Sequence, residues 1–166
     1  MAPTPTERAR GVRCVVLDVD GVMTDGRLYL GPDGVEWKAV HVRDGFGIKL
    51  LLGAGFEVAV ISGRPAEGIA ERLAFLGIRR CWFNVDDKVE AFETLRDQLR
   101  LEDREFAVMG DDVPDLPLLR RAGLAMTVAD AHPSVIAAAH WTSRFGGGQG
   151  AVREAADLLL AVRERP

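Results

Sequence analysis

Six polar residues stand just past the ends of short apolar runs: Asp18 and Asp20 after residues 12–17, Ser62 after 58–61, Lys88 beyond 80–84, and Asp111 with Asp112 after 106–109. One aspartate behind a strand is ordinarily a turn or helix-capping residue, and each of these taken alone reads that way. Four strand ends carrying such groups in one short chain do not. In an open parallel sheet the ligand crevice lies beyond the carboxyl ends of the strands, so residues this distant in sequence converge there. Two carboxylates about 4 Å apart repel by about 4 kcal/mol at an effective dielectric near 20. Three or four of them therefore raise one another's pKa or require a cation. An all-oxygen set without His or Cys suits a hard ion, and Mg2+ best, because it takes few carboxylates and keeps waters and a substrate phosphate. Ser62 and Lys88 offer that phosphate a hydroxyl donor and a positive point charge. The chemistry is phosphoryl transfer: one Asp attacks phosphorus, and a second, two residues on, protonates the leaving oxygen and then activates water. The metal screens the approach of anion to anion.

Positioning these groups takes buried strands joined by helices. The unbroken run at 12–17 suits a strand covered on both faces. Residues 27–30 and 35–42 flank Gly31-Pro32-Asp33-Gly34, a turn signal, and read as a β-hairpin. From Gly45 the apolar spacing is that of a short helix, closed by Gly53 and Gly55. Strands at 58–61, 80–84, 106–109, 124–128 and 141–142 then alternate with helices at 66–76, 87–99, after Pro114, at 133–139 and at 151–163. Residues 1–11 read as a polar leader and 146–150 as a mobile glycine loop. This alternation predicts an α/β fold, a doubly wound, Rossmann-like parallel sheet with a small β-hairpin cap inserted at 27–42. Residues 1–166 read as one domain.

Composition narrows the partners. The 166 residues carry 21 Lys and Arg against 25 Asp and Glu, a net charge of −4, which argues against a nucleic-acid or anionic-membrane binder. No apolar run approaches the ~18 residues of a membrane span, and residues 1–12 lack the apolar stretch of a signal peptide. Cys14 and Cys81 have no ligand partners at metal spacing and read as buried thiols of a reducing compartment. The expected location is the cytoplasm.

The motifs Asp18-Val19-Asp20-Gly21-Val22-Met23-Thr24-Asp25-Gly26, Ser62-Gly63-Arg64, Lys88 and Gly110-Asp111-Asp112-Val113-Pro114-Asp115-Leu116, in this order, resemble the four motifs of the haloacid dehalogenase superfamily of phosphatases. Within it the chain resembles the 3-deoxy-D-manno-octulosonate 8-phosphate (Kdo 8-phosphate) phosphatases. Matches at Val42-Arg43-Asp44-Gly45-Phe46-Gly47-Ile48-Lys49-Leu50, Val128-Ala129-Asp130-Ala131-His132-Pro133 and Gly147-Gly148-Gln149-Gly150-Ala151-Val152-Arg153-Glu154 extend the likeness over residues 12–162. The resemblance implies Asp18 as nucleophile and Asp20 as general acid/base. It implies Mg2+ on Asp18, Asp111 and the Asp20 carbonyl, with Asp112 in the outer coordination sphere. Ser62 and Lys88 would bind phosphate, and Arg43, Arg64 and Arg72 the sugar acid. It further implies a role in lipopolysaccharide biosynthesis and a homotetramer in which the hairpins assemble and a neighbouring subunit closes each active site. Two departures stand out: Phe83-Asn84 where the family commonly has Gln-Gly, and Ala70-Glu71-Arg72 where it clusters basic residues. Arg64 suits the octulosonate enzymes, whereas relatives acting on nonulosonate 9-phosphates tend to carry Glu there.

Plainer readings apply elsewhere. Asp25 and Asp115 read as capping residues, with a catalytic role as the alternative, His132 and His140 as structural, and Trp82 and Trp141 as core or near-core. Trp37 reads as a subunit contact, His41 as either a substrate or subunit contact or an exposed strand residue, and Arg153 as a helix-surface or tail residue. Rival functions are a phosphatase for a nonulosonate 9-phosphate or other sugar phosphate, and a non-catalytic tetramerisation module. A receiver domain also uses a strand-end Asp with Mg2+ and Lys, but lacks the Asp-x-Asp pair and the hairpin.

Overall fold

Six strands, β1 (Cys14–Leu17), β4 (Glu57–Ile61), β5 (Arg80–Trp82), β6 (Phe106–Met109), β7 (Leu124–Thr127) and β8 (Trp141–Thr142), form one all-parallel sheet in the order β5-β4-β1-β6-β7-β8. The structure is a computed structural model describing residues 2–65 and 67–163. The chain runs outward from β1 through β4 to β5, then returns to the other flank of β1 through β6. Topology therefore reverses beside β1, and the crevice of such a sheet opens at its carboxyl end. Every residue of β1, β6 and β7 is buried, as unbroken apolar strands covered on both faces must be.

Helices α2 (Val42–Gly53), α3 (Glu67–Leu76), α4 (Lys88–Leu99), α5 (Leu116–Arg121), α6 (Pro133–Ala138) and α7 (Ala151–Arg163) cover the sheet. Residue 66, the expected first residue of α3, lies outside the described residues. The core is continuous: Ile69, Leu73 and Leu76 of α3 are buried, and Phe92 of α4 meets Phe106 of β6 edge-on at 4.8 Å between ring centres. Burying such a side chain contributes about 1.5–3 kcal/mol.

Three local expectations change. The leader holds a short helix, α1 (Pro5–Ala9), capped by Thr4 and Glu7 bonding each other's backbone amides. Helix α2 begins three residues before Gly45, because the Nδ1 of His41 accepts the Arg43 N–H (3.1 Å) and caps it. His41 is thus a cap, not a strand residue. The hairpin strands shrink to β2 (Tyr29–Leu30) and β3 (Glu36–Trp37), antiparallel, with Tyr29, Leu30, Val35 and Trp37 exposed.

The glycine loop, expected to be mobile, is pinned. Gly147 N–H donates to Asp130 (2.9 Å), Gly148 N–H to the Val22 carbonyl (3.0 Å), and Gly150 N–H to Asp44 (3.3 Å). A Cβ at Gly147 would collide with the Gly21 and Thr24 carbonyls, so only glycine lets the two segments touch. Asp44 also accepts the Arg153 N–H (2.8 Å), so α2 caps the start of α7.

Candidate active site

The turn after β1 aims two carboxylates in different directions. Asp20 has extended backbone angles and Gly21 a φ of +89°, which breaks the turn sharply. Buried Thr24 braces it: its Oγ1 accepts the Gly21 and Gly26 N–H groups at 3.3 and 3.2 Å. A Cβ at Gly21 would overlap the Asp111 carboxylate, so this glycine admits Asp111 beside β1.

Asp111 follows β6, and its backbone is clamped: its carbonyl accepts the His132 N–H (2.8 Å), and the Gly110 carbonyl accepts the Thr127 hydroxyl (2.7 Å). Asp115 stands a turn later. One of its oxygens accepts the Asp111 and Asp112 N–H groups (3.0 and 3.3 Å); the other lies 2.6 Å from Lys88 Nζ. Lys88, the first residue of α4 and buried, also reaches Asp18 at 3.0 Å. Carboxylate oxygens of Asp18, Asp111 and Asp115 all lie within 4.8 Å of one another.

Their charges do not balance. Burial, with Asp115 adding and Lys88 opposing, pushes Asp18 up to about 6. Burial, then Asp18, Asp115 and Asp112, pushes Asp111 up to about 7. Burial works against the charged form of Lys88, but Asp18 and Asp115 outweigh it and hold the ammonium above its usual range. One ammonium among three to four carboxyls leaves surplus negative charge facing a cavity. That donor set fits a hard divalent cation held by Asp18 and Asp111, with Asp115 behind them.

The cavity, of about 300 Å3, brings together Asp18, Asp20, Ser62, Arg64, Lys88, Asp111 and Asp112 of the expected residues and adds Asp115. Ser62 is buried at the end of β4, where its N–H donates to the Trp82 carbonyl (2.9 Å). Arg43 and Arg72 do not join this cavity. Arg43 lines a separate cavity of about 250 Å3 with Arg144 and Arg153, and Arg72 lies between Gly45 and the Phe75 ring. Of the three arginines expected to meet the sugar acid, only Arg64 lines this cavity within a protomer. Both come from helix faces turned toward other helices, which sequence spacing does not reveal.

Two residues beside the site were not among the expected site residues. Asp115 does cap, exchanging backbone hydrogen bonds with Asp112, yet it is also Lys88's closest partner. Its signal was available: a carboxyl four residues after Asp111 opens the next turn facing the same way. Lys38, from the hairpin, pairs with Asp20 at 2.8 Å. Nothing in the sequence marks it, because the pair forms only when the hairpin folds back. Asp25 is a turn residue, accepting the Arg27 N–H (3.0 Å).

Residues 84–150 match the family of haloacid dehalogenase-like hydrolases. The chain is 44% identical over 156 residues to the 3-deoxy-D-manno-octulosonate 8-phosphate phosphatase KdsC of Escherichia coli strain K12, covering 94% of this chain and 83% of that protein. The crystal structure of the phosphatase of that name from Yersinia pestis superposes with a TM-score of 0.96 at 41% identity, over 99% of this chain and 89% of the other. That from Moraxella catarrhalis, in complex with magnesium ion, phosphate ion and KDO, has a TM-score of 0.93 at 34% identity, over 95% and 91% of the two chains.

Proposed function

The chain belongs to the 3-deoxy-D-manno-octulosonate 8-phosphate phosphatases of the haloacid dehalogenase-like hydrolases, and on that premise we propose that it hydrolyses Kdo 8-phosphate to Kdo and phosphate with Mg2+ as cofactor. One observation carries this reading: Asp18, Asp111 and Lys88 converge with Ser62 on a single cavity where the sheet topology reverses.

Asp18 is the nucleophile. Its carboxylate oxygen bonds to phosphorus as the ester P–O bond breaks, and Asp20 gives the departing sugar oxygen its proton. Asp20 then takes a proton from water as that water's oxygen attacks phosphorus, freeing phosphate and Asp18. Lys88 and Ser62 hold the phosphoryl oxygens, Lys88 by charge and Ser62 by its hydroxyl. Asp18 and Asp111 would hold Mg2+, with the Asp20 carbonyl as a further ligand and Asp112 in the outer sphere as the family resemblance implies; bound there, the ion would supply neutralisation of charge between nucleophile and phosphate. Arg64 borders both this cavity and an open one of about 500 Å3 under the hairpin, which gives the sugar acid a place and its carboxylate a cation.

Residues 1–166 form one domain in this reading, with the hairpin as its cap. The hairpin's exposed Tyr29, Leu30, Val35 and Trp37 support a homotetramer whose subunits close one another's sites. Light scattering at micromolar concentration checks it, and a monomer refutes it. No described helix is long and apolar enough to cross a membrane, and with the substrate this supports a cytoplasmic enzyme of lipopolysaccharide biosynthesis. The function is tested with Asp18→Asn, which removes the nucleophile at constant shape. Phosphate release from Kdo 8-phosphate with Mg2+ falls to background; retained turnover rejects the reading. In a panel with nonulosonate 9-phosphates, Kdo 8-phosphate gives the highest kcat/KM.

A further inference from the structure

Asp20 is poorly held by its own turn. Among the described residues no backbone N–H donates to its carboxylate, whereas Asp115 accepts two and Asp44 two. What holds it comes from the hairpin. Lys38 Nζ sits 2.8 Å from Asp20 Oδ1 and 2.9 Å from Oδ2, and the side chains are only 9% and 17% exposed. The ammonium therefore straddles the carboxylate, and Oδ1 is buried. A second tie fixes the hairpin in place. Arg64, two residues past Ser62, is 3.0 Å from both Glu36 oxygens and 3.9 Å from Asp20 Oδ2.

A proton-transfer group must be held in one orientation, because a carboxylate spinning about its last bond presents either oxygen at random. Lys38 supplies that restraint by contacting both oxygens. The anchor is an ammonium on a four-carbon stem, compact enough to lie astride one carboxylate in a nearly closed site. We propose that Lys38 is a positioning residue: by straddling both oxygens of Asp20 it fixes the orientation of the carboxyl group that exchanges the proton with the leaving group and the attacking water. The hairpin thereby enters the chemistry of its own protomer as well as capping it. The inference rests on Asp20 being the general acid/base.

Leaving-group dependence separates positioning from mere stability. A sugar alkoxide needs a proton to depart; p-nitrophenolate does not. Full-length Lys38→Met, Lys38→Gln, Lys38→Arg and Asp20→Asn proteins are compared with Mg2+ on Kdo 8-phosphate at steady state. On p-nitrophenyl phosphate the pre-steady-state burst, which reports the first transfer alone, is followed. General acid catalysis is worth about 10²–10⁴-fold, so Lys38→Met and Lys38→Gln lower kcat on Kdo 8-phosphate about 10- to 100-fold with KM within about twofold. Their burst rates stay within about threefold of the parent, and Lys38→Arg recovers most of the lost kcat. Equal losses on both substrates, or a rise in KM with kcat intact, overturn the proposal and make Lys38 a structural or substrate-contact residue. Asp20→Asn reads the premise separately: if it loses both activities alike, or neither, the acid/base assignment fails and the proposal with it. If Asp20→Asn is selective and the Lys38 variants are not, only the proposal fails.

Discussion

The two ends of the sheet treat charge in opposite ways. At the amino ends of the strands opposite charges are paired: Arg13 with Glu105, Arg80 with Glu57, and Arg121 with both Asp103 and Glu93. At the carboxyl ends Asp18, Asp111, Asp112 and Asp115 crowd one lysine. One residue type is driven in opposite directions as a result. Hydrogen bonds from Arg121 hold the Asp103 carboxyl below its ordinary range, while burial holds Asp18 and Asp111 above theirs. The amino end is arranged to keep the fold together; the carboxyl end carries a cost that only bound ligands relieve.

Asp111→Asn breaks the contrast most severely. It removes a cation ligand, so Mg2+-dependent phosphate release falls by at least about 100-fold, while the metal-free protein melts at a higher temperature because a buried carboxylate crowded by like charges is gone. A lower metal-free melting temperature would show that the carboxyl end is not strained by its charges. Next comes Mg2+ itself: at about 100 times its Kd it stabilises the parent by about 2.7 kcal/mol, and a calorimetric scan of Asp111→Asn shows little of that gain.

Arg121→Met probes the other end. It costs about 1 kcal/mol in urea unfolding at pH 7, since its partners are partly exposed, and leaves kcat unchanged. The sign with pH follows from Asp103. Its folded pKa lies below the unfolded value, so the pair's stabilisation is full above about 3.8 and is lost as pH falls through the lowered value. The gap between variant and parent therefore narrows below about pH 3.8. The smallest effect is Arg13→Ala: the pair is 3.6 Å apart and the arginine 65% exposed, and the loss stays within about 0.5 kcal/mol.

What the sequence made legible was whatever depends on a strand and its end. Buried apolar runs announce β1, β4 and β6, and the polar residue following each is placed by topology alone, so Asp18, Ser62 and Asp111 are readable as a group. What required a partner far along the chain was not. The start of α2 was obscured because Gly45 and Gly47 weaken its helical signal, yet Gly47 sits against the backbone of Arg153. Lys38 and the pinned glycine loop depend on segments folding onto each other. Thr4 and Glu7 carried a local capping signature that a helix scan for apolar periodicity passes over. The Phe83-Asn84 departure has a physical reading: Asn84 has a φ of +54°, and asparagine is among the residues that tolerate the conformation a glycine there would take without strain.

The docking of residues 146–150 on the turn that carries the nucleophile has a temporal meaning. On the ribosome, the sheet from β1 through β8 is complete before that loop and α7 emerge. Until they do, the turn at 19–24 lacks its outer wall, and Asp44 waits for the Gly150 and Arg153 amides, 106 and 109 residues downstream. A chain halted near residue 145 would hold every catalytic side chain named above, yet it is expected to release phosphate more slowly than the chain of residues 1–166 in the same assay. Full competence is expected only once residues 146–163 have been added.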